Sequence, residues 1–194
     1  MFRRPRFGLI AVLLGAAIFG QGLYMGGKAR LAQNLLERAW SKTAESGDVN
    51  LPWSWMDAHP VARLKIEGDK GSHIVLNTDS GQALAFGPAV IGGTENRDLL
   101  GIAAHKNTQF QILQTLKAGQ TLTLERPKGD VLTFLVTHSE ILDSRNAGLP
   151  IKEKSQSPSR LALVTCYPFN ALSFNGPMRY VVYADRISDP RMRQ

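Results

Sequence analysis

From residue 60 onward, apolar and polar positions alternate in short runs broken by turn residues. Residues 61–67 read V-A-R-L-K-I-E, a period of two that predicts a half-buried strand. Residues 68–71 supply a glycine-bounded hairpin turn, 72–77 a second strand, 78–81 another turn, and 82–86 a third strand. Gly87, Pro88, Gly92 and Gly93 then punctuate a long connection. Residues 99–104 are small and apolar throughout, which suits a strand covered on both faces. Residues 107–116 read as the one helix of this region: Thr108 with Gln111 fits a capping box, and Phe110, Leu113 and Leu116 share a face. Strands over 120–126, 131–142, 161–165 and 179–187 bring the number to eight. The polar stretch 143–159, between the sixth and seventh, is long enough to be a functional loop. Eight short strands with one dominant helix predict a mainly β fold, a closed or nearly closed barrel.

Ahead of this region the period changes. Over residues 28–44, Leu31, Ala32, Leu35, Leu36, Ala39 and Trp40 fall on one helical face, with Arg30, Gln33, Asn34, Glu37 and Arg38 on the other. Ser46, Gly47 and Asp48 end that helix, and residues 51–55 (LPWSW) read as an aromatic strap laid over the core. Residues 8–27 carry no charge and follow Arg3, Arg4 and Arg6. As a helix rising 1.5 Å per residue, such a run reaches about 30 Å, the hydrocarbon thickness of a bilayer. A cleaved signal peptide and a retained signal-anchor both fit; the length of the run and the lack of an A-x-A site favour the anchor. Under either reading the three arginines stay in the cytoplasm and the rest of the chain lies on the periplasmic or extracellular side of the inner membrane. The expected organisation is a basic tip and transmembrane anchor over 1–27, an amphipathic helix and strap over 28–59, the β-barrel over 60–187 and a tail over 188–194.

At 194 residues with 43% apolar side chains, the chain can bury one core, which excludes wholesale disorder and leaves no room for two ordinary domains. The net charge of +7 invites a nucleic-acid partner, but setting aside Arg3, Arg4 and Arg6 leaves 20 basic against 16 acidic residues, or +4. No aromatic-basic stripe accompanies that charge, so nucleic acid is not an expected partner. A single cysteine, Cys166, excludes an internal disulfide and a cysteine-based zinc cluster. Glu67, Asp69 and Asp79 are scattered over hairpin turns and read as solvated charges, so no metal and no cofactor are expected.

Cys166 closes the apolar run 161–165 and is followed by Tyr167-Pro168, where the sheet ladder must stop. That is where a nucleophile belongs, with its backbone fixed by a strand and its side chain opened by the next turn. A buried structural cysteine is the competing reading of position alone. Of the four histidines, His105 also ends a small apolar strand, and adjacent strands ending at one rim would join it to Cys166. Arg179 opens the last strand. A thiol attacking an amide generates an oxyanion, to which a fixed guanidinium can donate. Cysteine, histidine and arginine at three strand ends would supply nucleophile, proton carrier and anion stabiliser.

These residues resemble the sortases, membrane-anchored cysteine transpeptidases, and most closely the variants of Gram-negative bacteria. Ala162-Leu163-Val164-Thr165-Cys166 is similar to the family signature T-L-x-T-C, with alanine in place of the first threonine. Ala104-His105 with Phe110 and Leu113 resembles the histidine motif, and Arg179 in M-R-Y-V-V the last-strand arginine. The resemblance runs over residues 60–187 and implies an eight-stranded sortase-type barrel with one or two short helices. It further implies that Cys166 attacks the Thr–Gly bond of an L-P-x-T-G-like sorting signal on a secreted protein. His105 would shuttle the proton, Arg179 would hold substrate and oxyanion, and an amine of the cell envelope would resolve the thioacyl enzyme. Release to water, and a non-catalytic tethered barrel that binds peptides, are the alternatives. In the same light the loop residues Leu149, Pro150 and Ile151, together with Ala104 and Thr165, are candidate substrate contacts.

Overall fold

Alternation over residues 60–66 becomes strand β1 (Pro60–Ile66), because Ala62, Leu64 and Ile66 turn into the core while Lys65 faces solvent. The same two-fold rule builds β5 (Thr121–Glu125), with Leu122 and Leu124 inward, and the first half of β6 (Val131–Asp143), with Leu132, Phe134 and Val136 inward. The computed structural model describes residues 5–171 and 176–187. Within it β2 (Ser72–Leu76), β3 (Ala89–Val90), β4 (Leu99–Ala103), β7 (Arg160–Cys166) and β8 (Met178–Ile187) complete eight strands. They close into a barrel in the order β1-β2-β3-β4-β7-β8-β6-β5. Strand β7 is buried from Leu161 to Thr165 without alternation, since its outward side chains are also covered. Ala162, Val164, Val181 and Tyr183 form a second layer outside the barrel, against which Ile91, Leu142, Leu149 and Ile151 pack.

Three local expectations are corrected. Residues 82–86 are not a strand but the end of a short helix, α2 (Gly81–Phe86): the Ser80 hydroxyl accepts from the Ala83 amide and caps it, and the two-residue β3 takes the expected strand's place in the sheet. Residues 107–116 form no α-helix. Only a 3-10 turn over Gln111–Gln114 appears, and its N-cap residue, Phe110, makes no side-chain capping bond. Phe110, Leu113 and Leu116 are nonetheless buried, because a three-residue period serves a 3-10 turn as well as a helix. In the strap, Trp53 packs edge-on against Phe86 at 4.9 Å, but Trp55 is 76% exposed and covers nothing.

The backbone falls into two compact units, Met1–Leu35 and Leu36–Gln194. Helix α1 (Pro5–Ser46) begins in the first, and the amphipathic segment expected over 28–44 is part of it. Among the described residues no helix is long and apolar enough to cross a membrane, so the transmembrane anchor expected over 8–27 finds no support in the structure. Six glycines and Gln21 dilute the apolar character of that run. In the second unit the end of α1 buries Leu36, Ala39 and Trp40. Leu36 joins Met56, Ala58, Leu76, Ala83 and Ala89 in a cluster of its own, and Glu37 pairs with Arg63 of β1. The helix stops at Gly47, whose φ of 79° lies in the left-handed region that glycine tolerates and whose amide returns to the Thr43 carbonyl.

Candidate active site

Strands β4 and β7 run parallel with Ala103 opposite Val164, and the Ala104 amide donates to the Val164 carbonyl at 3.1 Å. Carrying that register on by two residues sets His105 beside Cys166. On the other flank of β7, the antiparallel strand β8 pairs Cys166 directly with Arg179. Three neighbouring strands thus deliver a thiol, an imidazole and a guanidinium to one rim of the barrel. A cleft of about 390 Å³ opens there, and His105, Cys166 and Arg179 all line it.

The three groups differ in exposure. His105 is exposed, while Cys166, a free thiol, and Arg179 are half-buried. Arg179 Nη1 donates to the carbonyls of Gly176 (2.6 Å) and Met178 (3.0 Å), which fixes the guanidinium plane. Nε and Nη2 have no partner among the described residues and remain available to a bound oxygen. Thr165 is buried beneath the cleft and its hydroxyl donates to the Ala104 carbonyl at 2.7 Å, tying β7 to β4 one residue before each of Cys166 and His105.

The other histidines lie elsewhere. His73 pairs with Asp69 at 2.8 Å, His138 stacks on Tyr183 with ring centroids 4.9 Å apart, and burial lowers the pKa of His59. Among the described residues no group of three or more His, Cys, Asp or Glu side chains could hold a metal ion.

Of the expected substrate contacts, Ala104, Thr165 and Leu149 line the cleft, and Pro150 and Ile151 are not part of its lining. Leu149 is seated where a side chain is missing on β4: a Cβ placed on Gly101 would come within 2.7 Å of its Cδ1. Ile151 packs with it on the outer layer, and the Pro150 carbonyl accepts from Arg160 Nη2 at 2.9 Å. The loop 144–159 is latched by Asp98, just before β4. One carboxylate oxygen accepts the amides of Lys152 (2.9 Å) and Glu153 (3.2 Å), and the other accepts from Arg160 at 2.8 Å. The Arg160 hydrogen bond and those amides hold the Asp98 pKa far below the usual carboxylate range. At the loop's start, Arg145 bonds Asp143 and lowers its pKa to about 2.

Residues that sequence patterning did not single out also form the wall: Leu84 of α2, Ile91, Leu142 and Ser144, with Asp79 as the one acid among the lining residues. Asp79 stood in the sequence as a solvated turn charge, and only the fold of the chain between β2 and β3 turns it to the cleft. A separate cavity of about 230 Å³, lined by Val61, Val75, Val90, Leu100, Ile102 and Leu124 with Arg97 and Arg126 among its polar residues, contains none of His105, Cys166 and Arg179.

The family model of the sortase domain matches residues 64–187. Among solved structures, a sortase D5 transpeptidase from Clostridium perfringens superposes with a TM-score of 0.63 at 16% identity, covering 82% of this chain and 99% of that one. A lid mutant of sortase A from Corynebacterium diphtheriae gives 0.57 at 16% identity over 71% and 75% of the two chains. The pilus-related sortase C of Group B Streptococcus gives 0.55 at 19% identity over 66% and 68%. These identities are low, and the likeness carries the fold alone. No curated protein sequence matches the chain.

Proposed function

The chain belongs to the sortase family, whose members are known as cell-wall transpeptidases, and from that premise we propose that it cleaves an L-P-x-T-G-like sorting signal between Thr and Gly and passes the acyl group to an amine. One observation carries the reading: strand register brings Cys166 opposite Arg179 and beside the end of the His105 strand, on one open cleft.

In this reading the Cys166 sulfur, as thiolate, attacks the threonine carbonyl carbon. Arg179 donates Nε and Nη2 hydrogen bonds to the oxygen as negative charge builds on it, and a guanidinium already held by two carbonyls pays little reorganisation at that moment. The C–N bond to glycine breaks, His105 gives its proton to the departing amine, and a thioester remains on Cys166. An incoming amine attacks that thioester, hands its proton to His105, and leaves with a new amide bond as the thiolate is released. The exposure of His105 suits exchange with both the leaving and the arriving amine. Leu149 and Ala104 supply apolar wall for the signal's leucine and proline.

The partners are a secreted protein bearing the signal and an amine of the envelope. The barrel works on the outer side of the cytoplasmic membrane, a location supported by Arg3, Arg4 and Arg6 ahead of an uncharged run. Fractionation of cells followed by protease shaving tests it.

The decisive experiment is intact-mass detection of the acyl-enzyme with an L-P-x-T-G peptide. The wild type gains the mass of the peptide's N-terminal part, and Cys166→Ala gains none; an adduct that persists in Cys166→Ala overturns the assignment. Adding candidate amines then separates transfer from hydrolysis by the mass of the product.

A further inference from the structure

Directly after His105 comes Lys106. The structure buries it: Lys106 is 3% exposed. Its Nζ donates to the Pro168 carbonyl and to the Ala171 carbonyl, each at 2.8 Å. Both acceptors lie on the segment that leaves Cys166, two and five residues beyond the sulfur. A buried ammonium is costly unless charge-assisted hydrogen bonds compensate it, and these are at the short distance typical of such bonds.

Three further contacts show what the tie joins. On the histidine side, the His105 carbonyl accepts the amides of Thr108 and Phe110, so the turn that carries His105 is a closed unit. On the cysteine side, the Tyr167 amide reaches the Met178 carbonyl, and Phe169 packs on Tyr180 at 5.3 Å. Strand pairing fixes His105 and Cys166 only up to their own positions, because β4 ends at Ala103 and β7 at Cys166. Beyond the strand ends, Phe169 packs on the main core, but a direct hydrogen-bonded tie between the two turns needs a bridging group. Lys106 supplies it.

We propose that Lys106 is a positioning residue, an ammonium clamp that holds the turn after His105 against the turn after Cys166 and so sets the spacing between imidazole and sulfur. It acts through those two residues and does not touch substrate. The inference rests on the reading above, in which His105 and Cys166 react.

The test compares wild type, Lys106→Met, which keeps the stem and removes the donors, and Lys106→Arg, which keeps the charge. With an L-P-x-T-G peptide, Lys106→Met lowers kcat for acylation roughly 10- to 100-fold, the scale of an ångström of misplacement, and leaves KM within about twofold. Lys106→Arg recovers part of the loss. In parallel, hydrogen exchange at the amides of residues 167–171 quickens in Lys106→Met while β4 and β7 stay protected. Acylation by Lys106→Met at the wild-type rate overturns the clamp. If the wild type forms no adduct with the peptide, the transpeptidase reading fails, and exchange over 167–171 still decides the tie: quickened exchange upholds it and unchanged exchange refutes it. Should Lys106→Met not fold, Lys106→Gln, with a shorter neutral donor, is read the same way.

Discussion

The hydroxyl of Thr165 donates to the Ala104 carbonyl beneath the cleft, so its oxygen is committed inside the protein and serves as a brace between β4 and β7. Thr165→Val keeps volume and branching but leaves a buried carbonyl without that donor, at a cost of about 1–3 kcal/mol. We expect thermal unfolding to show that loss, together with slower acylation, since Ala104 precedes His105; an unchanged melting curve would refute the brace. That Cys166, His105 and Arg179 meet at one rim was legible in the sequence because each ends or begins an apolar run, and runs that become neighbouring strands end at one rim. Lys106 was not legible. Whether a lysine is solvated or clamped depends on carbonyls some sixty residues away, and no local pattern encodes that distance. The seat of Leu149 on Gly101 escaped for the same reason, since the glycine's missing side chain has meaning only once the loop lies across it.

Among the elements, strands with strict alternation could be read to within a residue or two, and their boundaries in β1 and β5 show it. The apolar runs 99–104 and 161–165 were read as closely, as β4 and β7, but the stretch 82–86 was not. Residues 82–86 (QALAF) hold four helix-forming side chains against one strand-favouring aromatic, and Ser80 supplies the cap that starts the helix. The loop 144–159 depends on a latch, and the latch depends on charge. Folding depresses the Asp98 pKa, so the stabilisation it gives is complete above about pH 4, where the free carboxylate is ionised, and is lost as pH falls from there through the folded value. Asp98→Asn removes the ion pair with Arg160 at every pH. We expect the loop in that variant to be cut faster in limited proteolysis at neutral pH, and peptide KM to rise several-fold because Leu149 loses its support. Its cleavage rate below pH 4 should then change less with acidity than that of the wild type. Equal proteolysis of the two proteins at neutral pH would show that Asp98 is no latch.

For the whole molecule, the second unit extends beyond the barrel to the end of α1. Trp40 is 1% exposed there, with the Arg63 guanidinium 5.8 Å from its ring, and Leu36 anchors the neighbouring cluster. Trp40→Ala should lower the unfolding free energy by about 3–5 kcal/mol, measured by denaturant titration. A loss under about 1 kcal/mol would mean that this helix end is an accessory to the fold. The order of strands around the barrel has a last consequence, one of timing. The cysteine strand is flanked by β4, made long before it, and by β8, the final strand of the described chain. A nascent polypeptide therefore carries its sulfur with no guanidinium opposite until residues 178–187 have been made. Under the proposed mechanism, a product truncated ahead of residue 178 holds a thiol with no Arg179 to stabilise the oxyanion, and we expect it to form no acyl-enzyme.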